Sequence, residues 1–407
     1  MHFAYVWLIL WVKTIRGDVM DFDKVIDRHK TGSVKWDLTE ELFNSPDALP
    51  MWVADMDFDN PEPVKKALKS MIDNDILGYT FPKDSLYDSI INWQNTHHDM
   101  HVEKEMILFS PGVLSSIAVS VQSFTEAGDT VLVHDPVYPP FCSIVEKNNR
   151  NVLTSALILK DGQYVMDFEE IESILKRPDV TLFILSNPHN PGGRVWNEHE
   201  LTKLVNLCIR HKVILISDEI HSDLVYSGHT CISPVTLNDQ YKKWVVTLHS
   251  ATKTFNIAGV KLSYAIIYDQ DLKNRFVSVQ HQTELDAVNT FGMIATEAAF
   301  NHGESWRSEL MAYLTFNRTY IMNFFDQYLP HVSYMAPQST YLFWFDASTL
   351  NIEPECLKNH FAEKGKIALN DGISYGQNGK CFMRLNFAVP ESVLKDGLNR
   401  IRKVFEQ

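Results

Sequence analysis

The chain has 407 residues, 45% of them apolar and 12% aromatic, with a formal net charge of −14. Such a length suits one large domain plus a smaller one, and no linker-like stretch, charge block or fixed-period repeat divides it further. The acidic balance argues against a nucleic-acid footprint or attraction to an anionic membrane, but a small anionic ligand needs only a few local cations and helix ends.

Residues 3–12 form an apolar run followed by Lys13 and Arg16. The run is too short to span a bilayer, and its charges follow it, unlike those of a secretory signal. Three readings stay open for residues 1–19: a membrane-touching segment, a packed arm, or a translation start upstream of the natural one. Met20, which opens the patterned stretch MDFDKVIDR, favours the last. Residues 20–60 are mixed and rich in Trp and Asp, and we assign them to the smaller domain.

Residues 61–300 read as the large domain. Four short apolar runs, at 130–136, 181–188, 212–219 and 243–250, each end in polar residues. Runs of this kind are strands buried on both faces, which predicts an α/β fold with a mainly parallel sheet covered by helices. Between them, 197–211 carries Leu201, Leu204, Val205, Cys208 and Ile209 on one helical stripe. Ligands bind at the carboxyl ends of strands in such sheets. Chemistry is therefore expected near 135–138, 187–193, 218–221 and 250–253. From about residue 301 the pattern becomes that of a smaller α+β domain: a long helix near 303–328, strands in 339–348, 366–376 and 380–389, and a last helix starting near Pro390.

The five cysteines, Cys142, Cys208, Cys231, Cys356 and Cys381, are scattered and form no CxxC pair. They suit a reducing, cytoplasmic location and read as small buried apolar residues. His97, His98 and His101 read as a solvated helix end without a carboxylate partner. No Walker loop, HExxH or strand-linked GxGxxG is present.

Four motifs stand in order: NPHNPGG at 187–193, SDEIH at 217–221, SATKTFNIAG at 250–259 and FMRLNF at 382–387. Together they resemble the fold-type I aminotransferase family, which depends on pyridoxal 5′-phosphate (PLP), from about Met20 to the C-terminus. The finer texture of LPMWVADMDF, NPHNPGGRVW, DEIHSDL and KTFNIAG resembles its cystathionine β-lyase, or C–S lyase, branch.

The resemblance implies a role for each matching residue. Lys253 is the lysine that holds the cofactor as a Schiff base, and such an amine has to become neutral to react. Asp218 pairs with the pyridine nitrogen, Asn190 donates to the phenolic oxygen, and Tyr138 stacks on the ring. His221 stands where many aminotransferases carry tyrosine, but agrees with the lyase branch. Gly112, Val113 and Leu114 form the turn whose N–H groups meet the phosphate, with Ser250 and Lys261 as side-chain ligands. Lys261 replaces the usual arginine, so a bidentate clamp becomes a point charge. Tyr79 reaches the phosphate from a neighbouring subunit, which implies a homodimer. Arg384 binds the substrate α-carboxylate, and Trp52 and Val53 line the pocket.

The expected reaction is β-elimination from an L-cysteine S-conjugate such as cystathionine. Transamination shares the same catalytic residues. A regulatory or binding protein that retains the fold is the alternative from another class.

Overall fold

The computed structural model describes residues 20–406, so the extension 1–19 lies outside the described residues. Fourteen strands occur among them: β1 (Leu49–Pro50), β2 (Ile107–Ser110), β3 (Thr130–Asp135), β4 (Asn151–Lys160), β5 (Gln163–Met166), β6 (Val180–Ser186), β7 (Ile214–Asp218), β8 (Val245–His249), β9 (Ser263–Ile266), β10 (Tyr334–Met335), β11 (Leu342–Asp346), β12 (Ile367–Ala368), β13 (Asn370–Asp371) and β14 (Phe382–Asn386).

The central sheet has the order β2-β9-β8-β7-β6-β3-β4-β5. The run β8-β7-β6-β3-β4 is parallel, while β9, β2 and β5 attach antiparallel. The four expected apolar runs are β3, β6, β7 and β8. Their residues alternate between two cores, as two-sided burial requires. Leu182 and Ile184 of β6 join a cluster with Ile117, Ile216 and Val246, whereas Phe183 and Leu185 join a larger one with Leu215, Trp196 and Val245. The helix Glu198–His211 starts one residue inside the expected span, because Asn197 and Glu200 close a capping box around its first turn.

A second, antiparallel sheet has the order β10-β11-β14-β13. The helices Glu304–Tyr328 and Glu391–Phe405 pack on each other beside it. The strand-like stretch 366–376 breaks up into β12, β13 and a 3₁₀ turn at Ile373–Tyr375. The 3₁₀ turn lies between Gly372, whose position leaves no room for a Cβ against Gly379, and Gly376, which has φ +132°. β1 pairs parallel with β12, drawing the 49–58 segment onto this part of the molecule.

Two expectations need correction. The histidine cluster is solvated only at His101, which is exposed; His97 and His98 have carboxylate partners. His98 Nε2 lies 2.8 Å from Asp223 Oδ1 in a buried pair, and His97 stacks on Trp93 and reaches Glu304 at 3.0 Å. The partners are more than a hundred residues away in sequence, out of reach of local pattern. Cys356 is exposed rather than buried; Cys208 is buried, the other three are intermediate, and all five are free.

Candidate active site

Strand order alone brings the motifs together. Along the carboxyl edge of β8, β7, β6 and β3 come, in turn, Ser250 and Lys253, then Asp218 and His221, then Asn190, then Tyr138. β9 runs antiparallel to β8, so Lys261 just before it stands at the same edge. β2 is antiparallel to β9, with Ser110 paired to Ser263, which places Gly112 and the start of the helix Val113–Phe124 there too. Gly112 has φ +108°, a conformation that disfavours any residue with a Cβ.

Asp218 is buried, and its carboxylate accepts from the Ile220 N–H at 3.2 Å. Burial raises its pKa to about 7, opposed by that hydrogen bond and by the charge of Lys253. The Lys253 amine donates to the Ala54 carbonyl at 2.6 Å. Burial lowers its pKa to about 8, with Asp55 and Asp218 pulling it up and Arg384 pushing it down. His221 is buried and held neutral, its pKa lowered to about 3 by burial and by the charges of Lys253 and Arg384. Tyr138 is partly buried, and burial raises its phenol pKa, with Arg384 and Asp218 the nearest charged influences.

Arg384 arrives from β14. The register sets it between Trp344 of β11 and Asn370 of β13. Its Nη1 donates to Asn190 Oδ1 at 3.0 Å, and its Nη2 to Trp52 O and Asn370 Oδ1, each at 2.8 Å. The guanidinium lies over the Tyr375 ring, 5.1 Å from its centroid. Asn386, two residues on, donates to Val53 O at 2.6 Å. The backbone of Trp52 and Val53 is thus tied to the strand that carries Arg384.

The remaining residues are arranged differently. The Ser250 hydroxyl donates to Leu262 O at 2.5 Å and caps the short helix Ala251–Thr254. Lys261 is exposed, in the left-handed region at φ +46°. Val113 is buried and Leu114 is 40% exposed. Tyr79 stands fully in solvent, lining a cavity with residues 286–291 that includes none of the other predicted site residues. Asn370, Tyr375, Ala54, Asn386 and Tyr341 also surround the site. Asn386 stands in FMRLNF and Ala54 in LPMWVADMDF; the other three lie outside the motif runs, so only tertiary packing could have pointed to them.

A ring carrying a protonated nitrogen, a phenolic oxygen and a phosphate fits these residues. Asp218 is a buried carboxylate with no cation at hydrogen-bond distance, and His221 Nδ1 and Arg384 Nε are buried without partners among the described residues. Such groups call for a polar occupant. Among the described residues no cluster of His, Cys, Asp or Glu could hold a metal ion.

Residues 47–401 match the model of the aminotransferase class I and II family, and the chain belongs to that family. It is 45% identical to the cystathionine β-lyase PatB of Bacillus subtilis, over 94% of this chain and 99% of that one. It is 32% identical to the protein MalY of Escherichia coli, over 95% of this chain and all of the other. Cystalysin from Treponema denticola, whose crystal structure contains PLP, superposes with a TM-score of 0.93 at 30% identity, covering 96% of this chain and 99% of its own.

Proposed function

We propose that this chain is a PLP-dependent carbon–sulfur β-lyase that cleaves cystathionine or another L-cysteine S-conjugate to a thiol, pyruvate and ammonia. The observation that carries the reading is near-full-length similarity to the cystathionine β-lyase PatB, joined to a lysine, a buried aspartate and an arginine that converge on one sheet edge.

When bound, the cofactor supplies an electron-withdrawing ring that stabilises negative charge at the substrate Cα. Asp218 would hold the proton on the ring nitrogen, and Asn190 Nδ2 and His221 would face the phenolic oxygen. Tyr138 would cover the ring. The phosphate would take the N–H groups of Val113 and Leu114 at the helix start, with Gly112 giving the turn, and Ser250 and Lys261 beside it. Arg384 would bind the α-carboxylate through the N–H groups left free by Asn190, Trp52 and Asn370, fixing Cα over the ring. Lys253 anchors the cofactor, and once displaced it takes the Cα proton as general base. The Cα–H and Cβ–S bonds break, the sulfur leaves as a thiol, and the three-carbon enamine hydrolyses to pyruvate and ammonia.

The reading includes a homodimer. Ile76, Leu77, Tyr79, Phe81 and Phe291 are exposed apolar residues, and most of them border a shallow cavity of about 400 Å³. A contiguous patch of this kind is what a partner covers. A division of the chain near residue 300, and a cytoplasmic location in keeping with five free cysteines, belong to the same proposal. Among the described residues, no helix is long and apolar enough to cross a membrane.

The test is to incubate the purified protein with L-cystathionine, without an added keto acid, and assay pyruvate and free thiol. Both products are expected. Their absence, with amino-group transfer appearing only when a keto acid is supplied, would make the protein a transaminase.

A further inference from the structure

Residues 52–55 cross the site as a strap whose carbonyl oxygens are all engaged. Arg384 holds Trp52 O, and Asn386 Nδ2 donates to Val53 O at 2.6 Å and Asp55 O at 2.5 Å. The Ala54 carbonyl between them accepts twice, from Lys253 Nζ at 2.6 Å and from the Tyr341 hydroxyl at 2.9 Å. A carbonyl oxygen has two lone pairs, so both are in use. Tyr341 is 1% exposed, just ahead of β11, and its ring meets His221 nearly edge-on at 6.1 Å between centroids. The reaction described above uses neither Tyr341 nor Ala54.

We propose that the Ala54 carbonyl is the seat of the free Lys253 amine during turnover, and that Tyr341 is the positioning residue that holds this seat and favours the neutral, proton-accepting form of the amine. The inference rests on the reading of Lys253 as cofactor anchor and Cα base. An amine displaced by the incoming substrate has to stay near Cα although it swings on a flexible four-carbon stem. Ala54 O offers it one fixed acceptor. The seat has to survive while the lysine is bonded elsewhere. The Tyr341 hydroxyl, carried on a fully packed ring, keeps the carbonyl aimed, and Asn386 pins the peptides on both sides.

The same sharing bears on proton affinity. A hydrogen bond from the amine to an acceptor favours the ammonium form. An oxygen that already accepts from Tyr341 draws less on the ammonium, so Tyr341 tips the amine toward its neutral form. The other groups facing Lys253 are Asp55 and Asp218, which favour the ammonium, and Arg384, which opposes it. His221 is neutral, and Tyr341 keeps its own proton because burial and then Asp55 raise its pKa.

Tyr341→Phe tests this. In the full chain stripped of PLP, the rate of cofactor recapture, followed by visible absorbance, reports the free amine as pH is varied. The wild-type rate should rise with a midpoint near pH 8. In the variant the midpoint should move up by about half a unit or more. In the cofactor-loaded enzyme the kcat midpoint should move the same way, with KM changed less than about twofold. Coincident midpoints, or a downward shift, overturn the proposal. Should the variant not fold, a structure of the wild-type enzyme with an amine-bearing substrate analogue decides. Lys253 Nζ on Ala54 O supports the seat, and Lys253 Nζ bonded elsewhere overturns it. Cofactor recapture needs no sulfur substrate, so a failure of the lyase assay counts against the proposed reaction and leaves this measurement intact.

Discussion

Asp223 Oδ2 accepts a 2.7 Å hydrogen bond from Thr254 Oγ1, tying the loop just past His221 to the residue next to Lys253. Its other oxygen accepts from Trp93 Nε1 at 3.0 Å and lies 2.8 Å from His98 Nε2. One carboxylate therefore joins three segments behind the site. Burial pushes its pKa up, but the hydrogen bond and charge of His98, with Thr254 and Trp93, more than offset this and hold it well below the usual carboxylate range.

Asp223→Asn breaks a buried pair, so a loss of about 3–5 kcal/mol is expected at neutral pH. A depressed carboxyl contributes stability that is fully present above the unfolded-state pKa of about 4 and is lost as pH falls through the lower folded value. Denaturant unfolding of variant and wild type should therefore converge as pH drops below about 4. A gap unchanged with pH would contradict the assignment.

For Arg384→Lys the planar fork becomes a point charge on a flexible stem. The bonds to Asn190 Oδ1, Trp52 O and Asn370 Oδ1 would not all be kept. Steady-state kinetics should show KM for the amino-acid substrate raised about tenfold or more, from the loss of charge-assisted hydrogen bonds. An unchanged KM would remove Arg384 from carboxylate binding.

In the proposed reaction Lys253 is the base, a role that only the neutral amine can fill. With its pKa near 8, about one-tenth of the amine is free at pH 7. The kcat profile should climb through that region and level off above it. Lys253→Ala should lose about 10²-fold or more in rate, with the visible band of the cofactor–lysine bond absent. Retention of that band in the variant would place the anchor on another residue.

Gly376 lies where the end of β3 meets the second sheet. Asp135 accepts from the N–H groups of Gln377 and Asn378, each at 3.1 Å, and a Cβ on Gly376 would stand 2.0 Å from Asp135 Oδ1. With φ at +132° the substitution is also strained. Gly376→Ala should cost about 1–3 kcal/mol, read as a lower thermal midpoint. Equal midpoints would show that the contact yields freely.

Part of this architecture was legible before any coordinates. β3, β6, β7 and β8 are buried on both faces, so each stands out as an unbroken apolar run, and their polar ends mark the ligand edge. Strands β2, β4, β5 and β9 escaped notice. β4 is partly exposed along its length, and β2, β5 and β9 have only four residues each, too short for a periodic signal even though β2 runs into the Gly112 turn. The His98–Asp223 pair, the Tyr341–Ala54 bond and the Asn370–Arg384 contact were invisible for another reason: each joins segments set side by side only by sheet register or helix packing.

By itself, the sequence determined the class of fold and the chemistry on offer. Short apolar runs that are rich in β-branched residues and end in polar ones read as two-sided strands, and a lysine, an aspartate and an arginine in their motifs carry the resemblance. The tertiary structure alone decided the state of those groups. Whether Asp218 is buried, how far Lys253 is lowered, and which carbonyl its amine meets depend on desolvation and on partners up to 199 residues away. Such terms add up over contacts through space, and no local stretch of sequence contains them.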